Sequence, residues 1–318
     1  MKKLIISFAT VLAAGAAFAQ SNSLSISQTG DGNAAPINFQ RGDGNTGSFV
    51  VAGNNNETAI DQYGNRNTGT ASISGDGNRA SVAANHGDDN TATVTQVGNN
   101  NSGAIVTFYG NQNETSISQV GNGNLGGVSL KGNNNETSIS QTGEANVAAV
   151  VTSTYGYNTN HNLTTVTQSG NGNQYEANFG QFSSSDNRIS VSQVGDNNRG
   201  YTMVTDHDNQ VTIAQTGEGN WATSVQMYGS GNQIGISQTG TFNSANFWQD
   251  GSFNTASVTQ EGSGNRLTGL ESSYFPNTAI QGGNSNQLNL TQTGSTNVLH
   301  FGQMGNNNTA SVTQGPQN

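Results

Sequence analysis

The sequence predicts an all-β fold: a two-sheet β-solenoid of about a dozen strand-turn-strand rungs, in effect an amyloid-like cross-β stack. Three observations lead there. An eleven-residue pattern, Asn-x-Φ-x-Φ-x-Gln-x-Gly-x-x with Φ small or apolar, recurs along almost the whole chain. Clear copies run Asn113-Thr115-Ile117-Gln119-Gly121, Asn135-Thr137-Ile139-Gln141-Gly143 and Asn254-Ala256-Val258-Gln260-Gly262. A fixed short period means a stack of equivalent units, which grows without needing a larger core. Hydrophobic residues are only 31% of the chain, against roughly 45–50% in globular domains, so an ordinary core is excluded. Charged residues are 9% and Pro is 3 of 318. Uncharged, Pro-poor and Asn/Gln-rich is the composition of cross-β assembly.

Reading from the N-terminus, Lys2 and Lys3 form a positive segment, Leu4 to Ala17 an apolar run, and Ala17-Phe18-Ala19 an A-x-A site. Residues 1–19 therefore predict a signal peptide, cleaved between Ala19 and Gln20. The run is shorter than the roughly 20 apolar residues of a membrane span, and no later segment predicts one. Cleavage leaves seven basic and nineteen acidic residues, a net charge of about −12. That balance argues against nucleic acid as a partner. The scattered acids suit solubility and delayed self-association during export. With no Cys, disulfides and Cys-based metal sites are excluded.

Residues 20–314 carry the repeats, and 315–318 form a short tail. Within a unit, Asn, both Φ positions and Gln lie two residues apart, so on a strand they share one face. The intervening residues, such as Glu114, Ser116 and Ser118, are polar and face water. Fifteen units keep Asn with Gln six residues later; elsewhere Gln is replaced, as at Val51, Ile73 and Leu130. After Gln come x-Gly-x-x and the next Asn. Gly adopts positive φ at no steric cost and Asn tolerates it, so each unit ends in a tight reversal. Two units make a rung of about 22 residues, which stacks on the next through parallel hydrogen bonds. A buried amide must be paired, and at the rung spacing of roughly 4.8 Å each Asn or Gln amide meets its equivalents above and below. A stack of a dozen rungs would be of the order of 55 Å long. The two strand types alternate clearly only from Gln96 onward, so sheet assignment of earlier units stays open. Spacing lengthens near Tyr155–Asn162 and Gln181–Asn187, and Leu270 to Ile280, with Pro276, predicts an outward loop.

Chemistry-bearing constellations are weak. Asp206-His207-Asp208 occupies a turn slot, where acids and His are common. Gly170–Asn173 resembles a phosphate-cradling loop, but equivalent stretches recur in every turn. Asp31-Gly32-Asn33, Asp43-Gly44-Asn45 and Asp76-Gly77-Asn78 resemble calcium-binding nonapeptides, yet the period is eleven. No cleft or paired carboxylates suggest catalysis, and no metal, cofactor or enzymatic activity is expected. Outward aromatics (Phe108, Tyr109, Trp221, Trp248) look scattered and read as incidental surface or lateral packing. The Thr array of Thr91, Thr93 and Thr95 is too irregular from unit to unit for a lattice match.

With the repeat laid out, the chain resembles the curlin family, the subunits of curli fibres. That family's repeat looks like Ser-x-Φ-x-Φ-x-Gln-x-Gly-x-x-Asn-x-Ala-x-Φ-x-Gln. Close copies are Ser23-Leu24-Ser25-Ile26-Ser27-Gln28-Thr29-Gly30-Asp31-Gly32-Asn33-Ala34-Ala35 and the stretch from Thr115 to Asn124. The resemblance covers residues 22–314. It implies a secreted subunit that polymerises into extracellular functional amyloid on the surface of a Gram-negative bacterium, serving biofilm matrix, adhesion and cell aggregation. It further implies a nucleator subunit and outer-membrane secretion machinery as partners. Solenoid ends are open sheet edges that template addition. The expected self-assembly ladder comprises Asn22, Gln28, Asn33, Asn113, Gln119, Asn135, Gln141, Asn286, Gln292, Asn297, Gln303, Asn308 and Gln314. The alternative is a monomeric β-solenoid adhesin or an ice- or surface-binding module.

Overall fold

The computed structural model describes residues 21–152, 159–270 and 277–315. The expected signal peptide, its cleavage site at Ala19 and Gln20, the stretches 153–158 and 271–276, and 316–318 lie outside the described residues. Everything described is strand or turn. Strands alternate strictly between two parallel sheets, each pairing with strands of the rungs before and after it. One sheet has 13 strands, from Ser23–Thr29 to Thr309–Gln314; the other has 15, from Ala34–Arg41 to Gly302–Met304. The excess comes from rungs whose second-sheet strand is split, as Arg266–Thr268 and Ala279–Gly282 are. About twelve turns of solenoid result. The early units, left open by the sequence, obey the same alternation: Thr46–Ala52 and Thr68–Ser74 join the first sheet, Glu57–Tyr63 and Arg79–Asn85 the second.

Register is set by identity. Glu114–Asn122 pairs with Glu136–Glu144 so that Thr115 meets Thr137, Ile117 meets Ile139 and Gln119 meets Gln141. A one-residue slip would turn Ser116 and Ser118 inward and put Ile117 in water. Burial alternates along each strand: Thr115, Ile117 and Gln119 are buried, while Glu114 is exposed. The core is one continuous column of such residues, including Ile60, Ile105, Val166 and Phe247.

That column is thin, so bulk is matched by Gly, across the interior or on the next rung. A Cβ on Gly126 would lie 2.9 Å from Cγ2 of Ile117 on the facing sheet, and one on Gly200 2.7 Å from Cδ2 of its register partner Tyr175 on the same sheet. Gly126→Val should therefore destabilise by about 1–3 kcal/mol through overpacking, read as a lower denaturation midpoint with unchanged slope.

Each turn needs two left-handed residues. Gly121, Gly143 and Gly170 have φ of 115°, 114° and 116°, and the residue two positions later, such as Asn134 or Ala145, sits near 55°. The described strands at the lengthened stretches, Val147–Thr152 and Thr159–Asn160, Gln174–Ser185, and Arg266–Thr268 and Ala279–Gly282, belong to the second sheet. Its ladder shifts register between Ala34 and Ile37 and between Phe179 and Ser184. Past the strand Arg266–Thr268 it resumes where Ala279 pairs with Phe247. The first sheet runs uninterrupted.

Candidate functional site

The inward Asn residues form two ladders, one at each turn. In the first, running from Asn22 to Asn308, each Oδ1 accepts the backbone N–H of the Asn one rung on: Asn45 from Asn67 at 2.9 Å, Asn113 from Asn135 at 2.9 Å, Asn286 from Asn308 at 2.9 Å. The second runs from Asn33 to Asn297 in the same way, beginning with Asn56 N–H to Asn33 at 3.0 Å and ending with Asn297 N–H to Asn265 at 3.2 Å. Most Nδ2 groups donate to the carbonyl of the turn glycine one rung on, as Asn113 does to Gly132 at 2.8 Å, and Thr159, Ser184 and Asp206 take the glycine's place for Asn135, Asn162 and Asn187. The Asn thus clamps its own turn to the neighbouring rungs, and most are fully buried.

The Gln residues make a second set of ladders at the other end of each strand. On the first sheet the Nε2 of each Gln donates to Oε1 of the next without a break from Gln96 to Gln314; Gln119 to Gln141 and Gln292 to Gln314 measure 2.8 and 2.9 Å. The remaining Nε2 hydrogen reaches across the interior, Gln119 to the Ser102 carbonyl at 3.0 Å, joining the sheets. On the second sheet the ladder is discontinuous: Gln40 to Gln62, then Gln226 through Gln249 and Gln281 to Gln303.

The thirteen residues expected to form the ladder all occupy inward positions, but Gln28 lacks an amide neighbour. It is paired with Val51, and its Nε2 is buried without a partner. Gln96 and Gln226 likewise leave Oε1 unpaired where the rung below holds Ile73 or Val204. Two ladder members escaped the sequence pattern. Gln40 follows Asn33 by seven residues because the register shift near Ala34 absorbs one. Gln281 follows Asn265 by sixteen residues, across a stretch that includes 271–276. Spacing alone hides both; hydrophobic register on the flanking rungs would have found them.

A third set lies in the turns and was also missed. Backbone N–H groups of Asp43, Asn65, Asp88 and Asn111 each donate to the Asn or Asp side chain at the equivalent position one rung on, at 2.7–2.9 Å. These bonds run opposite in polarity to the inward Asn ladder, so the stack has distinct ends. Nor are the aromatics wholly scattered. Phe39, Tyr63, His86 and Tyr109 stack as a column on four successive rungs, with centroids 5.3, 5.5 and 5.1 Å apart.

Among the described residues no Asp, Glu, Lys, Arg or His is fully buried. Arg66 grips Asp89 in a two-pronged bridge at 2.6 and 2.7 Å, and this holds the Asp89 carboxyl below its usual range. Stability from that bridge is therefore present above the ordinary carboxylate range and disappears as pH falls through the lowered value. Asp61 shifts the other way, pushed up by burial. In an Asp61→Asn background, the stability difference between Asp89 and Asp89→Asn proteins should vanish on acidification and return at neutral pH. No cluster of His, Asp and Glu among the described residues could hold a metal ion.

A family model described as curlin associated repeat matches residues 53–83, 87–121, 110–143, 207–240, 229–262 and 283–315, more than half of the chain. The chain belongs to the curlin family. Most match boundaries fall on turn glycines such as Gly53, Gly121, Gly143 and Gly262, so the curlin repeat is the structural unit: strands clamped at both ends by amide ladders. Among curated proteins, none matches the chain significantly.

Proposed function

We propose that this curlin-type chain is a secreted structural subunit that self-assembles head-to-tail into curli-like extracellular amyloid fibres. The observation that carries the reading is the state of the terminal strands. The inward residues Leu24 and Ile26 of the strand Ser23–Thr29 are 39% and 38% exposed, whereas their equivalents deep in the stack, Thr115 and Ile117, are 2% and 1% exposed. At the other end, Ala310, Val312 and Gln314 are only partly covered. Apolar side chains and unpaired backbone on a parallel edge template another strand. The ladder polarity supports a single orientation: Asn308 and Gln314 of one copy meet Asn22 and Gln28 of the next, as Asn297 and Gln303 meet Asn33 and Gln40.

A role in biofilm matrix, adhesion and cell aggregation fits this reading, as do a location on the surface of a Gram-negative cell, a nucleator subunit and outer-membrane secretion machinery. The test is thioflavin T fluorescence of the purified mature chain with and without sonicated seeds, followed by electron microscopy. Fibrils with a lag that seeds abolish are expected. A β-rich monomer that stays soluble at high concentration would overturn the polymer reading in favour of a monomeric adhesin.

A further inference from the structure

Every rung but one holds a Gln at one or both strand ends. The exception is 68–85, where the two positions are Ile73 and Ala84. Its interior is also the leanest, with Gly69, Ala71 and Ala80 beside Ile73, Val82 and Ala84. Orphaned amide atoms bracket the gap on the first sheet: Nε2 of Gln28 below and Oε1 of Gln96 above.

What crosses this gap on the surface is different in kind. Glu57 and Arg79, opposite each other in register, bond at 2.5 and 2.9 Å. Arg66 and Asp89 join the turns on either side of the rung. The turn acceptors of this rung are both carboxylates: Asp76 takes the N–H of Asn54, and Asp88 that of Asn65, each at 2.7 Å. The ring of His86 lies between Tyr63 and Tyr109. Charge pairs and ring stacking thus stand on the surface where the neutral, buried Gln ladders lapse, and of the amide ladders only the two Asn ladders cross the rung, through Asn67 and Asn78. Exposed ion pairs are screened by salt; buried amide ladders are not.

We propose that residues 23–63 form a unit that opens separately from the rest of the solenoid, along a charge-dependent seam at 68–85. An opened seam bares the edges of Thr68–Ser74 and Arg79–Asn85 and so offers a second chain an internal pairing site. That consequence rests on the polymer reading; the seam itself does not, because it lies within one chain.

Hydrogen exchange of the full mature chain, at low and high salt, separates the two. Amides of 23–63 should exchange together, faster than those of 91–141, with a step at 68–85 that widens severalfold in high salt. Val51→Gln with Ile73→Gln would join Gln28 to Gln96 through a continuous ladder, and should slow exchange in 23–63 alone. Arg66→Gln, a surface change that leaves the interior intact, should widen the step at low salt. Equal protection of both regions at both salt concentrations would overturn the seam, as would a smooth gradient from residue 23 inward that Arg66→Gln does not alter. Seedless, fibre-free behaviour in the thioflavin assay would overturn the polymer reading and leave the exchange result standing.

Discussion

Replacing Gly121 by alanine is expected to destabilise the stack by about 3–5 kcal/mol, combining backbone strain with a clash that cannot relax. Gly121 has φ of 115°, outside the left-handed region that Asn or Asp tolerate, and its added Cβ would lie 2.1 Å from the carbonyl oxygen of Gly143. The obstacle is backbone, and moving it presses on the next turn, where Gly143 has the same relation to Gly170 at 2.0 Å. Displacement therefore propagates along the column. The position two residues further on makes the control. Asn134 has φ of 55°, and its equivalent one turn along is already Ala145 at 53°, so Asn134→Ala should cost no more than about 1–2 kcal/mol, the ordinary penalty of a Cβ in the left-handed region. Denaturant midpoints of the soluble chain, or the denaturant needed to dissolve fibres, measure both. Equal midpoints for the two variants would remove the turn glycine from any account of what aligns the rungs.

The period-two pattern, the Asn-to-Gln spacing and the turn glycines made the two-sheet solenoid legible, because each states a local requirement: a shared face, a paired amide, a positive φ. What escaped needed the partner rung. Gln40 is invisible to a fixed spacing, since only the pairing of Gln40 with Gln62 reveals that the strand Ala34–Arg41 carries an extra residue. The early sheet assignment was obscured because Val51 and Ile73 fill Gln positions with apolar side chains, erasing the marker that distinguishes the sheets. The column of Phe39, Tyr63, His86 and Tyr109 looked scattered because its members lie 23 or 24 residues apart and come from strand and turn positions alike; only the rung geometry brings the rings within stacking distance. The turn ladder of Asp43, Asn65 and Asp88 is hidden in the sequence because turns favour Asn and Asp without any cross-rung bond.

The two amide ladders should differ sharply in what they contribute. Asn124 donates through Nδ2 to Oδ1 of Asn101 at 3.1 Å and to the Gly143 carbonyl at 2.9 Å, and its own Oδ1 accepts the N–H of Asn146 at 3.0 Å. Asn124→Ala orphans a buried backbone N–H and a turn carbonyl together and weakens the ladder below, a loss of about 2–6 kcal/mol at roughly 1–3 per unpaired group. Gln168→Leu removes less. Gln141 keeps its bond to the Leu125 carbonyl, Gln193 is left with an unpaired Oε1 like those already buried at Gln96 and Gln226, and Leu130 shows that leucine fits the equivalent slot of the facing sheet at 1% exposure. About 1–2 kcal/mol is expected there. The same contrast is written along the chain: the Asn position is kept in every unit from Asn22 to Asn308, while the Gln position admits Val51, Ile73, Leu130, Phe179 and Val204. Denaturation of both variants decides the ranking. Should Gln168→Leu prove the costlier, cohesion would reside in the interior corner amides and not in the clamp that each Asn places on its turn.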